Sequence, residues 1–423
     1  MRLLNEFATH GSSLEDFCKE SELMDETTAI LDVKGADIMF LSLCDLPEYQ
    51  VEGKATFFVF NETYLDEFLS KGSKFRVGTI PIEYIGQELL DELKQTTGLM
   101  AIIDHEYYII SEIAMPTITF QASVGGNLTL TRNNLIRNLH LADAIISKNE
   151  KLRIVYRKEI IGKDSIGVPI TAKKIFACLG KYFYYTPASV LTEIVKDCST
   201  KMKVRSWDID HILTNVHMEN EPIAGLPDKV YPGIIFSTSD VGRSSFTASG
   251  VFRYGNSITV TDVFSSNHKK KISKDEIMTA ISHIMEDMIS FEETLRKLQK
   301  YPLLDYERVD VSSDSGSAVN YQAITDIVSG MLNKFVKPVS SMARVNYLLN
   351  CIKDEVISTK EYTYYDIALI LMTCDRIKQM DRFDAMKLRQ ALAKIPEYLL
   401  QDREKKSLQE RKAETDKVML LPA

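Results

Sequence analysis

The sequence predicts an α+β fold, with a mixed α/β N-terminal part, a β-sheet-containing middle and a helical C-terminal bundle. Three observations carry this. Helix-like and strand-like stretches alternate through the first 147 residues. Pro232 to Phe264 reads as strand almost throughout, and from Ser273 onward the apolar residues recur at helical spacing. A chain of 423 residues is longer than one compact core usually takes, so two or three packed units are expected. The expected divisions are 1–147, an acidic mixed α/β region; 148–272, a basic strand-rich core; and 273–304, a long heptad-patterned helix. Beyond these come a linker at 305–320, a helical bundle at 321–400 and a charged tail at 401–423.

In the first region, Ser12-Ser-Leu-Glu15 reads as a capping box, a hydroxyl and a carboxylate satisfying the free N–H groups of a helix start. Ala55 to Phe60 is a strand of aromatic and β-branched residues, followed by Asn61 as an N-cap and a short helix ending at Gly72. A second helix is expected from Glu83 to Thr97, stopped by Gly98. Leu99 to Asp104, Tyr107 to Ser111 and Thr117 to Gln121 read as strands. Leu135, Ile136, Leu139, Ala142, Ile145 and Ile146 fall on one helix face.

The middle opens with a strand, Leu152 to Ile161, in which apolar residues alternate with Arg153, Arg157 and Glu159. Helices are expected over Thr171 to Tyr182 and Pro187 to Cys198, Pro187 suiting a first helical position because its N–H would be unpaired there. Strands then follow at Gly233 to Phe236, Phe246 to Tyr254 and Ser257 to Phe264, the last two joined by a Gly255-Asn256 hairpin turn. Ser273-Lys-Asp-Glu276 is a second capping box. Behind it Ile277, Ile281, Ile284, Met288, Phe291, Leu295 and Leu298 form a seam of heptad spacing. Such a seam either lies on the protein's own core or mediates self-association. Asp310 to Asn320 has the composition of a linker, with helices near 321–336, 339–357, 364–379 and 382–400 beyond it.

Composition narrows the chemistry. A hydrophobic content of 45% with 26% charged residues is that of a globular protein. The opening residues lack the apolar core of a signal peptide, and no apolar stretch is long enough to span a bilayer, so a cytoplasmic protein without a membrane partner is expected. Six scattered cysteines include no Cys-x-x-Cys pair, which argues against zinc and thioredoxin-like sites. Phosphate-cradling, dinucleotide, nucleophile-elbow and zinc-hydrolase motifs are all missing, and no cofactor is implied. Asp208-Ile-Asp210-His211 is a weak metal candidate: on a strand the two acids would share a face, but Ser206 before Trp207 reads as an N-cap, making them first-turn acids. Asp104-His105-Glu106 is a turn, and Cys178 reads as an inert buried thiol.

Charge is more informative in its distribution than in its total of −8. Residues 1–147 carry a net −13 and residues 148–205 a net +8. The basic stretch is either an anion-binding face or a surface paired with the acidic first third. The most distinctive segment, Pro232 to Tyr254, has two apolar strands flanking a loop rich in hydroxyls. Ser237, Ser239, Arg243 and Ser244, together with Arg153, Arg157, Arg253 and the run His268, Lys269, Lys270 and Lys271, are the candidate phosphate-binding residues. The alternative is a tight connection closed by Asx and Ser turns with Arg243 paired to Asp240.

Several of these segments, in order, resemble a family of phage- and plasmid-encoded proteins grouped as domain of unknown function 932. They are Arg153-Ile-Val-Tyr-Arg157, Lys173 to Leu191, the Ser-Asp-x-Gly-x-Ser-Ser core at 239–245 with a following Phe-Arg, His268 to Lys271, and Tyr364-Tyr-Asp-Ile-Ala368. The resemblance covers about residues 150–380. It departs from the family where Tyr254-Gly-Asn-Ser257 lacks a cysteine that the family often has. It implies a mobile-element protein of the host-cell cytoplasm or the virion, with no settled activity. The leading expectation is a non-enzymatic factor binding single-stranded nucleic acid in replication or recombination, through basic residues interleaved with Tyr156, Tyr182, Phe183, Tyr184 and Tyr185. A protein-interaction or structural component is the alternative, with a metal-dependent nuclease using Asp208 and Asp210 third.

Overall fold

The computed structural model of the chain describes residues 8–60, 76–124, 134–268, 271, 273–301, 329–336, 363–372 and 382–419, with the single positions 343, 346 and 350. It is an α+β protein built on two sheets. The first sheet is antiparallel throughout, in the order β1 (Ala8–Gly11), β10 (Lys203–Asp210), β11 (Thr214–Glu219), β12 (Val230–Thr238), β13 (Phe246–Tyr254) and β14 (Ser257–Ser266). The second has eight strands. Its order is β2 (Thr28–Lys34), β8 (Lys151–Lys163), β9 (Pro169–Gly180), β7 (Glu106–Ile110), β6 (Leu99–Ile103), β3 (Met39–Leu43), β4 (Lys54–Phe60) and β5 (Arg76–Pro81). Among the described residues only β7 and β9 pair in parallel.

Both sheets draw strands from either side of residue 147, so the expected 147/148 division is not a boundary between layers. The acidic N-terminal region and the basic middle are woven together by the β2–β8 and β7–β9 pairings.

Helices α1 (Leu14–Thr27), α2 (Ile82–Ile85), α3 (Gln87–Gln95), α4 (Met115–Ala122), α5 (Asn134–Lys148), α6 (Ala188–Cys198), α7 (Lys274–Leu298), α8 (Tyr364–Met372), α9 (Arg382–Ala393) and α10 (Ile395–Met419) cover the sheets. The first sheet packs on α1, α6, α7 and the C-terminal helices around Phe236, Phe246 and Phe252. On the second sheet α4 and α5 cover one face, and α3 covers part of the other. A small fourth cluster, Val155, Phe176, Ala177, Leu179 and Val241, joins β8 and β9 to the loop after β12.

The heptad seam of α7 is buried along its length by the chain's own core, from Ile277 to Leu298. The approach to β13 is close enough that a Cβ on Gly250 would sit 2.8 Å from Ile284 Cγ2. That face is therefore taken within the chain, so of the two readings of the seam the one lying on the protein's own core holds, and the seam gives no support to self-association through Ile277 to Leu298. Ser273 caps the helix as expected, its hydroxyl accepting the Glu276 N–H at 3.1 Å.

Six features differ from expectation. The first cap is Ser13, accepting from Asp16 N–H, one residue later than the expected Ser12. The Glu83–Thr97 helix is broken at Gly86, whose φ of +83° ends α2 and starts α3. Thr117 to Gln121 is helix rather than strand: Pro116 sits in the first turn, and Thr117 and Thr119 bond back to the Ala114 and Met115 carbonyls. Thr171 to Tyr182 is mainly strand rather than helix. Ile175 to Leu179 are buried on both faces of a central strand, and such an unbroken apolar run mimics a buried helix. Pro187 is the N-cap of α6, not its first residue, and Ser206 lies within β10 rather than capping a helix. The expected Asn61–Gly72 helix and the 305–320 linker lie outside the described residues, as does most of 339–357. The charged tail continues α10 as helix to Met419. Among the described residues no helix is long and apolar enough to cross a membrane.

Candidate nucleic-acid interface

Three cations of the +8 stretch, Arg153, Lys173 and Lys174, pair with carboxylates of the acidic first third. Arg153 on β8 makes a two-pronged bond to Asp32 on β2, at 2.8 and 2.9 Å. Lys173 on β9 pairs with Glu106 on β7, and Lys174 lies between Glu92 of α3 and Glu159 of β8. Burial disfavours the Lys174 charge, but the two carboxylates outweigh it and its pKa is raised. These three pairs tie β8 and β9 to β2, β7 and α3.

Arg157 is the most enclosed of these groups, with none of its side chain exposed. It faces the first sheet and stands 4.8 Å from the Phe176 ring centre. Its guanidinium donates to Thr28 Oγ1 at 3.0 Å, to the His211 carbonyl at 3.1 Å and to the Asp240 carboxylate. Nη1 also meets His211 Nδ1 at 3.2 Å, while His211 Nε2 lies 3.3 Å from Glu159. Since guanidinium only donates, this arrangement assigns Nδ1 as acceptor and Nε2–H as donor.

Beside this seam opens a groove of about 1020 Å³. α4 forms one wall and the end of β9 its floor. Gly242 to Ser245 of the loop after β12, with Asn267 and His268 just past β14, form the other wall. The α4 wall is placed by unusual strand-edge chemistry: β9 runs on past β7, and its Cys178 N–H is met by Thr117 Oγ1 at 2.9 Å instead of a strand carbonyl. Phe120 then projects into solvent with 79% exposure, and Tyr182, just past β9, with 72%. Both line the groove, as do Arg243, Ser244 and His268.

The loop wall is fixed residue by residue. Ser239 is buried and its hydroxyl accepts the Arg243 N–H at 3.1 Å. Gly242 adopts φ +70°, and a Cβ there would lie 2.7 Å from Leu179 Cδ2. His268 stacks on Phe183 at 4.7 Å, with Nδ1 3.2 Å from the Tyr184 carbonyl and Nε2 3.2 Å from the Ser244 carbonyl. Burial holds its pKa below the ordinary histidine value against the opposing pull of those carbonyls and Asp240. Arg243 itself is exposed and forms no ion pair among the described residues. The expected Arg243–Asp240 pairing is thus replaced by Arg157–Asp240.

Of the sequence-predicted residues, the groove gathers Arg243, Ser244 and His268, with Ser239 beneath them. Arg157 and Ser237 are buried and cannot touch a polymer. Arg153 is occupied by Asp32 and by the Phe183 carbonyl, which it anchors. Arg253 is at the far end of β13, bonded to Glu219 and lying 4.2 Å from the Tyr231 ring centre. Lys269 and Lys270 lie outside the described residues, and Lys271 is exposed. Phe120 was not anticipated, because a strand reading of Thr117–Gln121 gives it no outward-facing role.

Asp208 and Asp210 do lie on a strand and are exposed, but Asn215 Nδ2 donates to Asp208, and Asp210 accepts the Ile212 and Leu213 N–H groups at 2.7 Å. No group of three or more His, Cys, Asp or Glu side chains able to hold a metal ion occurs among the described residues. Burial pushes the Cys178 thiol up to about 12, which keeps it protonated and unreactive. No family model, no curated protein and no solved structure matches the chain.

Proposed function

We propose that the groove binds an unpaired nucleic-acid strand, its bases stacking on Phe120 and Tyr182 and a backbone phosphate resting at Arg243. The observation that carries this is the exposure of two aromatic residues, 79% and 72%, in one concave site beside a guanidinium that forms no ion pair among the described residues. Base stacking on aromatic rings beside a cation is the recurring physics of single-strand sites. Lys181, whose ammonium sits 4.7 Å from the Tyr182 ring centre, adds positive charge beside that ring. Paired bases cannot present a face to the rings, so single strands are preferred over duplex. Serving phage or plasmid replication or recombination, as the family resemblance implies, is part of this proposal.

The test is fluorescence anisotropy with labelled single- and double-stranded oligonucleotides across a salt series. Affinity for single strands should fall with salt, and Phe120→Ala should weaken binding by about 1–3 kcal/mol without changing the salt slope. Absence of binding at low salt by folded protein would sink the reading. A second reading, a protein-interaction component, is favoured by the tip of the β8–β9 hairpin, where Ile166 is 82% exposed and Val168 52%. Under that reading, charging Ile166 abolishes partner capture and leaves oligonucleotide binding untouched.

A further inference from the structure

We propose that Arg157, acting through Asp240, is the positioning residue that holds Arg243 at the groove. This rests on the reading of the groove as a single-strand site. The sequence placed Arg157 among the phosphate contacts; its burial rules that out and asks what so enclosed a charge is for.

A buried arginine–carboxylate pair is weak as a source of stability, because desolvating two charges consumes most of their attraction. Its distinctive capacity is registry. The Arg157 guanidinium reaches β2 through Thr28, the turn after β10 through the His211 carbonyl, and the loop after β12 through Asp240. Three separately encoded segments therefore meet at one planar donor. From Asp240 the loop has little freedom. Gly242 is pressed on Leu179, the Arg243 N–H is bonded to Ser239 Oγ, and the Ser244 carbonyl faces His268 Nε2. The backbone of Arg243 is fixed on both sides while its side chain stays open to the groove. Preorganising a long cation in this way lowers the ordering entropy that phosphate binding would otherwise cost.

The experiment is the salt dependence of single-strand binding for Arg243→Ala, Asp240→Ala, Asp240→Asn, Ser239→Ala and each change combined with Arg243→Ala. Losing the one phosphate contact in Arg243→Ala should lower the slope of log affinity against log salt by about 0.7 and the affinity by about tenfold. Asp240→Ala should lower the slope equally and add nothing in the Arg243→Ala background, because the pair acts through that side chain. Asp240→Asn keeps an acceptor for Arg157 and should restore most of the slope. Ser239→Ala removes only a hydroxyl, so it carries the test if Asp240→Ala does not fold.

Full slopes in Asp240→Ala or Ser239→Ala, or losses additive with Arg243→Ala, overturn the positioning role and leave the groove reading standing. Wild-type protein that shows no salt-dependent binding overturns the groove reading, and this proposal with it.

Discussion

Arg157 and Arg243 stand on opposite sides of one short loop, and their surroundings could hardly differ more. Arg157 is fully enclosed and bonded to Thr28, His211 and Asp240; Arg243 is exposed and unpaired among the described residues. The same contrast runs through the two regions they belong to. In the seam between the sheets the buried charges have partners: Arg157 meets Asp240 of the loop after β12, and Glu159 meets Lys174 of β9 and His211 of the turn after β10. In the groove next to it, large rings and one cation face solvent. A seam with its charges satisfied is a framework, whereas surface left unsatisfied is where a ligand has something to gain.

The largest effect should come from breaking the seam. Asp240→Ala leaves a guanidinium buried without its carboxylate, and loss of one member of such a pair costs about 3–5 kcal/mol. Denaturant unfolding should show this, while Arg243→Ala, one turn of loop away, should change stability by no more than about 0.5 kcal/mol. Equal effects of the two changes would erase the distinction between framework and site.

Next in size are the aromatic changes. Tyr182→Ala should cost about 1–3 kcal/mol in single-strand affinity with unfolding unchanged, since its ring is 72% exposed. A drop in stability matching the drop in affinity would mean that the ring packs rather than binds. Gly242→Ala probes the junction between the two regions. It places a Cβ 2.7 Å from Leu179 at a φ of +70°, and an unfolding penalty of about 1–3 kcal/mol is expected. A neutral result would show the loop to be more yielding than its packing implies.

The sequence was most legible where structure is local. The α7 seam, its Ser273 cap, the Gly255 hairpin and the hydroxyl-rich loop at 239–245 all rest on neighbours within a few residues of one another. Legibility failed in two ways. β9 and α4 were given each other's form, because a strand buried on both faces loses its alternation and because threonines in α4 bond their own helix carbonyls. Their neighbours settle the matter: β9 is a strand since β8 and β7 pair with it, and α4 caps its edge where β7 ends. The Arg157–Asp240 pair joins residues far apart in the chain, and nothing in either local stretch announces the other. The basic run had two readings for the same reason, as Asp32, Glu92 and Glu106, the partners of Arg153, Lys174 and Lys173, lie in the first third.

The smallest effect expected is one of pH, and it bears on how firmly the two regions are joined. His268 sits between the carbonyls of Tyr184 and Ser244, and its pKa is held below the ordinary value of about 6.5, first by burial. A base whose folded pKa is depressed favours the fold while neutral. That contribution is present above the unfolded value and is lost as pH falls through the folded one. Unfolding measured between pH 7.5 and 5 should therefore show an acid loss that is smaller in His268→Phe, which keeps the stack on Phe183 and carries no proton. His217 is depressed by burial in the same direction and remains in the variant as an internal control. An unchanged acid slope in His268→Phe would mean that the imidazole is already open to water, and that the loop wall beside Arg243 is held by Asp240, Ser239 and Gly242 alone.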